Sequence, residues 1–326
     1  MKNFLISLLV VAVATFASVP AEVSAAPKSS AKQNAAKSRQ SVAQGKKLAS
    51  KSVKQKSIVR KAAAENDEYL FDKEGRLALG SVSALVLDQM TGTALLEKNP
   101  GMILPIASIS KLMTAMVVLD SRPNMEEVIS ISDADVDYLK GTRSRLPVGV
   151  SMTRDTALLL ALMSSENRAA NALARHYPGG LPAFVAAMNR KAKAMGLTQT
   201  RFEEPTGLSF NNVSTARDLS RMVMAAHQYP LIREYSTMAG ARVDMGNSVL
   251  DFTNTNALVK NPQWQIGLSK TGYISEAGRC LVMQAWVAGK PVVMVFLDSN
   301  GKMTRVGDAN RVKRWMEGDT PGNTGA

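Results

Sequence analysis

Strand-forming runs stand at the two ends of residues 65–326, and helix-forming runs fill the middle. Gly80–Asp88 (GSVSALVLD) is apolar and β-branched enough for a buried strand; Met90-Thr91-Gly92 turns it, and Thr93–Glu97 returns beside it. Strand signals resume only at Gln265–Thr271, Arg279–Ala288 and Pro291–Leu297, the last two joined through Ala288-Gly289-Lys290. Between them, Leu112, Met113, Met116, Val117 and Leu119 recur at helical spacing within Ser110–Ser121. Further helices are expected at Met152–Met163, at 165–176, at 181–195 (closed by Gly196), at 214–227 with Ser214 as N-cap, and finally at Thr304–Met316. Strands so far apart in the chain bury their apolar faces only by meeting. The order therefore implies one sheet with a helical insertion.

The N-terminal residues read differently. Lys2 precedes an apolar run, Phe4–Ala17, too short to span a membrane, and Val23-Ser24-Ala25 fits a small-residue cleavage site. Residues 1–25 are expected to be a secretory signal, which would place the mature protein in the periplasm, soluble or loosely membrane-associated. Residues 26–64 hold eleven Lys and Arg and no acid, so most of the net charge of +13 lies there. This Ser-, Ala- and Gln-rich stretch has no aromatic residue and cannot bury a core. It reads either as a tether to an anionic envelope polymer or lipid head group, or as a solvated spacer. Nucleic acid is not an expected partner, since stacking aromatics are missing. Residues 65–326 form the expected catalytic domain.

The single cysteine, Cys280, and two histidines, His176 and His227, leave little material for a metal site; no metal or organic cofactor is expected. Cys280 reads as a buried small hydrophobe, and the histidines as helix-end residues. No G-x-S-x-G, H-E-x-x-H, P-loop or G-x-G-x-x-G motif is present. What remains is a serine chemistry that uses lysine. In Ser108-Ile109-Ser110-Lys111 the first and last residues share a helix face, so hydroxyl and amine can meet. A lysine activates a serine only if its pKa falls, through burial or a neighbouring cation. Ser165-Glu166-Asn167 adds a hydroxyl and an amide at a helix–helix junction, and Lys270-Thr271-Gly272 adds a cation, a hydroxyl and a close-approach glycine on a strand. Each motif alone is a weak signal, read more simply as a cap or a turn. Together, in this order and 57 and 105 residues apart, they resemble the three motifs of class A β-lactamases and penicillin-binding proteins.

The stretches PIASISKLMTAMVVLD, LALMSSENRAANALARHYPGG, TRFEEPTGLS, STARDLS and LSKTGYISEAGRCLVMQA resemble the low-molecular-mass penicillin-binding proteins. They are most similar to the type-7 group, the D-alanyl-D-alanine endopeptidases. The likeness covers roughly residues 78–318. It implies an α/β (α+β) fold, a mainly antiparallel five-stranded sheet sandwiched by helices, with an all-helical lobe. It also implies roles: Ser108 as acylated nucleophile, Lys111 as its neutral base, Ser165 as proton shuttle and Asn167 as peptide-orienting amide. Lys270, Thr271 and Gly272 would receive the substrate, with Lys270 helping to depress the pKa of Lys111. The backbone N–H groups of Ser108 and Tyr273 would form an oxyanion hole, and Arg217 would brace the Lys270 strand.

The implied reaction is hydrolysis of D-Ala–diaminopimelate cross-links between peptidoglycan stem peptides, with β-lactams as covalent inhibitors. The alternatives are a carboxypeptidase that removes terminal D-Ala, or a weakly catalytic wall-binding module acting through the basic stretch. The deacylating E-x-x-L-N glutamate of class A β-lactamases has no match, since Glu203-Glu204-Pro205-Thr206-Gly207-Leu208 does not fit; slow release of penicillin is the expectation. Only 54 residues follow Gly272, too few for the extra β-domain of larger carboxypeptidases. The middle residue of the second motif, Glu166, is given no role.

Overall fold

A computed structural model describes residues 70–318 except 74 and 247. The expected signal (1–25) and basic stretch (26–64) lie outside the described residues. Among the described residues no helix is long and apolar enough to cross a membrane.

Strands β1 (Ser81–Asp88) and β2 (Ala94–Lys98) open the sheet. The short β3 (Leu104–Pro105) leads through a 3-10 turn, Ala107–Ser110, into helix α1 (Lys111–Asp120). The strand pair β4 (Val128–Ser130) and β5 (Ser151–Thr153) precedes α2 (Arg154–Met163), α3 (Asn167–Arg175) and α4 (Gly180–Ala194). After β6 (Val213–Ser214) come α5 (Ala216–Ala226), α6 (Pro230–Thr237) and a hairpin of β7 (Gly240–Asp244) and β8 (Val249–Thr253). The chain then returns to the sheet as β9 (Gln265–Ile274), β10 (Gly278–Val287) and β11 (Lys290–Ser299), and ends in α7 (Thr304–Met316).

The sheet order is β2-β1-β11-β10-β9, antiparallel throughout. The two ends of the domain meet where β1 pairs with β11, Leu85 opposite Val295. Helices cover both faces, so the central strands are apolar at nearly every position rather than at alternate ones. Leu85, Leu87, Val293 and Val295 face the helical lobe, while Ala84, Val86, Val292 and Met294 face α7 through Ala309 and Val312. The buried Asp308 of α7 accepts the backbone N–H groups of Gly80 and Ser81 at 3.0 and 2.9 Å, which pins the start of β1.

Local differences from the sequence reading have local causes. Thr215, not Ser214, caps α5, its hydroxyl accepting the Asp218 N–H, because Ser214 pairs with Leu104 in a strand. Ser108 lies in the 3-10 turn before α1 rather than in the helix itself. The β7–β8 hairpin and α6 carry too short or too polar a pattern to stand out in the sequence.

Candidate active site

β9 is the edge of the sheet, and its outer side lies against the Ala107–Ser110 turn. Two glycines permit this approach. A Cβ on Gly272 would stand 2.9 Å from the Ile106 carbonyl oxygen and 3.1 Å from the Ser108 nitrogen. One on Gly207, whose φ is +85°, would stand 1.9 Å from the Ala107 oxygen. Ala107 and Ser165 both hold positive φ, 48° and 63°. Left-handed non-glycine residues cost about 1–3 kcal/mol each and persist only where the surroundings enforce them. Here one precedes Ser108 and the other is Ser165 itself.

Lys111, fully buried, is within hydrogen-bonding distance of three oxygens: Ser108 Oγ at 2.7 Å, Asn167 Oδ1 at 2.7 Å and the Thr206 carbonyl at 2.6 Å. Burial pulls its pKa down to about 7, against the opposing pull of Glu204 and Glu166. As an ammonium, it donates to all three oxygens. As a neutral amine, it has two N–H groups and one lone pair. Asn167 Oδ1 and Thr206 O can only accept, so they take both N–H groups and leave the lone pair facing the Ser108 hydroxyl. The arrangement can therefore remove the serine proton.

The second lysine, Lys270 on β9, is also buried and donates to Ser165 Oγ at 2.8 Å and to the Thr271 carbonyl at 3.0 Å. Burial first, then the nearby charges of Lys111 and Arg305, hold its pKa well below the ordinary lysine value. Desolvation is the main cause of depression for both lysines, and the repulsion between their ammonium forms acts on each in the same direction.

Ser108, Ser165, Asn167, Thr271, Gly272 and Tyr273 line a cleft of about 260 Å³, joined by two residues that the sequence reading missed, Thr255 and Arg305. The Thr255 and Thr271 hydroxyls are 2.6 Å apart. Arg305 of α7 donates to the Gly272 carbonyl at 3.1 Å, and its buried Nε has no partner among the described residues. Arg217 does not brace the Lys270 strand. Its guanidinium lies 3.5 Å from Glu97 and is half-exposed, because α5 places it beside β2, at the other edge of the sheet. Arg305 contacts the Lys-Thr-Gly segment instead.

The loop at 203–212 sets Thr206. The Glu204 carboxylate accepts the N–H groups of Thr206 and Gly207, each at 2.6 Å, and Asn212 donates to the Glu204 carbonyl at 2.8 Å and to Ser110 Oγ at 2.9 Å. Glu166 also has a function in the fold: buried, it accepts from Ser144 Oγ at 2.7 Å and Arg145 Nε at 3.1 Å, which fastens the 137–146 loop to the second motif. The Cys280 thiol is buried and pushed up to about 11 by desolvation. Among the described residues no cluster of three or more His, Cys, Asp or Glu is placed to hold a metal ion. A larger cavity, about 1030 Å³, lies at the opposite sheet edge between β2 and α7. Its Lys98 and Arg311 are engaged by the Leu79 carbonyl and Asp308, and no serine lines it.

A serine–lysine pair and a lysine–serine bridge converging on one sheet edge define an acyl-transfer serine peptidase. The chain belongs to the S11 peptidase family, described as D-alanyl-D-alanine carboxypeptidase, which it matches over residues 72–301. A D-alanyl-D-alanine endopeptidase of Pseudomonas aeruginosa is 53% identical over 241 residues, 73% of this chain and 78% of that one. One of Escherichia coli is 48% identical over the same shares. The crystal structure of the Streptomyces K15 DD-transpeptidase matches with a TM-score of 0.67 at 28% identity, over 73% of this chain and 97% of that one. This serine-type D-Ala-D-Ala peptidase therefore has the β-lactamase-like fold expected of it.

Proposed function

We propose that the protein is a DD-endopeptidase that cuts D-Ala–diaminopimelate cross-links between peptidoglycan stem peptides. The observation that carries this reading is Lys111, whose two N–H groups are taken by Asn167 Oδ1 and Thr206 O, so that its lone pair faces Ser108. In the proposed reaction Ser108 Oγ attacks the D-Ala carbonyl as its proton passes to Lys111 Nζ. Backbone N–H groups of Ser108 and of Tyr273, on the edge strand, receive the oxyanion. The C–N bond breaks, Ser165, held by Lys270, passes its proton to the departing amine, and the proton that Lys111 took up replaces it, which restores the Ser165 hydroxyl and the neutral Lys111. Water then hydrolyses the ester. The leaving residue carries a carboxylate beside its amine in both the cross-link and the pentapeptide, and Arg305, Thr271 and Thr255 form a cationic, hydroxyl-lined place for it.

Support for the endopeptidase subclass comes from the two relatives at 53% and 48% identity, both named endopeptidases. Carboxypeptidase activity is the second reading, favoured by the family description. Incubating the protein and Ser108→Ala with a cross-linked muropeptide dimer and a monomeric pentapeptide separates them. Ser108-dependent conversion of dimer to monomers is expected; release of D-Ala with the dimer untouched would overturn the subclass. β-Lactams are proposed to acylate Ser108. Export through residues 1–25 and tethering of residues 26–64 to an anionic envelope surface complete the reading.

A further inference from the structure

Asn167 places its carbonyl, not its NH2, toward Lys111, and something must hold the amide that way round. Its Nδ2 donates to Thr142 Oγ1 at 3.1 Å. The Thr142 hydroxyl in turn donates to Asp137 Oδ2 at 2.6 Å, and the Thr142 N–H to the same oxygen at 2.9 Å. With its only proton committed to a carboxylate, the Thr142 oxygen can only accept. A flipped amide would set its carbonyl against that oxygen and its NH2 against the N–H groups of Lys111, unfavourable at both ends. The other Asp137 oxygen accepts the N–H groups of Leu139 and Lys140, both at 2.9 Å, so the carboxylate is fixed by its own loop. Lys140 is ion-paired with Glu276 on the β9–β10 turn, which fastens the loop to the β9 side of the site.

We infer that Asp137 and Thr142 are positioning residues: they orient the Asn167 amide and, through it, direct the Lys111 lone pair at Ser108. The inference rests on the function proposed above, in which Lys111 is the base. The charged groups facing Lys111 are Glu204 from the 203–212 loop, Glu166 before α3 and Lys270 from β9. None of them changes in the variants below.

The test is the second-order rate of labelling by a fluorescent penicillin across pH, for the native protein, Thr142→Val, Thr142→Ser and Asp137→Ala, with Ser108→Ala as the blank. In Thr142→Val the plateau rate is expected to fall about tenfold. The acid limb is expected to move below its native position, because losing an aligned acceptor weakens the ammonium more than the neutral amine. Loosening that merely admits water would move the limb up, toward the ordinary lysine value. Thr142→Ser keeps the hydroxyl and is expected to restore both rate and limb. Asp137→Ala is expected to give the same signs at smaller size, and native behaviour there would remove Asp137 from the assignment. A native profile in Thr142→Val, or a limb that moves up, overturns the inference. If Thr142→Val melts below assay temperature, Thr142→Ala is read in its place with the same expectation. Absence of Ser108-dependent label on the native protein would instead sink the proposed function.

Discussion

The two walls of the cleft present the same pairing, a buried lysine against a serine hydroxyl, and different physics builds each. On the β9 wall the ladder places Lys270 opposite Val282 and Gly272 opposite Cys280. Position there is shared among many backbone hydrogen bonds. On the other wall, the 203–212 loop carries Thr206 to Lys111 and the first residue of α3 brings Asn167, and single side chains hold the loops that set them: Glu204 and Asn212 the 203–212 loop, Glu166 and Asp137 the 137–146 loop. A strand wall should therefore tolerate the loss of a neighbouring side chain better than a loop wall does.

The largest expected effect is on the loop wall. Lys111→Met should lower the acylation rate by about 10³-fold, the size of a lost general base; stopped-flow labelling measures it. For the native protein the rate should rise with pH through about 7, since the proposed base is the neutral Lys111 amine and burial draws its pKa down to about 7. A limb near 10 would break the account of burial. Next come the glycines. Gly207→Ala meets backbone at 1.9 Å and forces a positive φ, whereas Gly272→Ala meets its neighbours at 2.9–3.1 Å. Thermal unfolding should show Gly207→Ala as the more damaging, by more than about 2 kcal/mol, with Gly272→Ala costing less. Equal losses would erase the contrast between the walls.

Glu204→Gln replaces a carboxylate that gathers backbone N–H groups, and should cost about 2 kcal/mol of stability while slowing acylation. A large fall in activity without a fall in melting temperature would mean that Glu204 acts on Lys111 by charge rather than by holding Thr206. The smallest contrast is between arginines. Arg305→Ala should raise KM for a carboxylate-bearing peptide more than it lowers kcat. Arg217→Ala, which breaks only an exposed pair, should leave both unchanged.

Much of the fold was legible because strand runs of 8–10 residues and helices with a clear apolar face carry their own periodicity. The β7–β8 hairpin was not, since its strands are only five residues each and, Phe252 apart, none of their side chains is fully buried. In the site, the side chains of the three motifs were legible by type and order. Thr206 was not, because it acts through a backbone carbonyl, which any residue type supplies. Arg305 lies 35 positions beyond Lys270 on a helix, and only the packing of α7 on the sheet brings it to Gly272. Asn212 was not legible either, because nothing local in a polar loop says that its amide is buried or which donors and acceptors it serves.

The sequence by itself determined that strands at the ends of the domain must pair around a helical insertion, and that two serines, two lysines and an amide were available for acyl transfer. Those facts follow from side-chain chemistry and local periodicity. Only the tertiary structure decided that Lys111 is buried with its pKa drawn down, that Asn167 and Thr206 gather round it beside Ser108, and that Arg305 rather than Arg217 meets the Lys-Thr-Gly strand. Desolvation, the aim of a carbonyl and the meeting of distant elements are properties of the packed chain, and no short stretch of residues contains them.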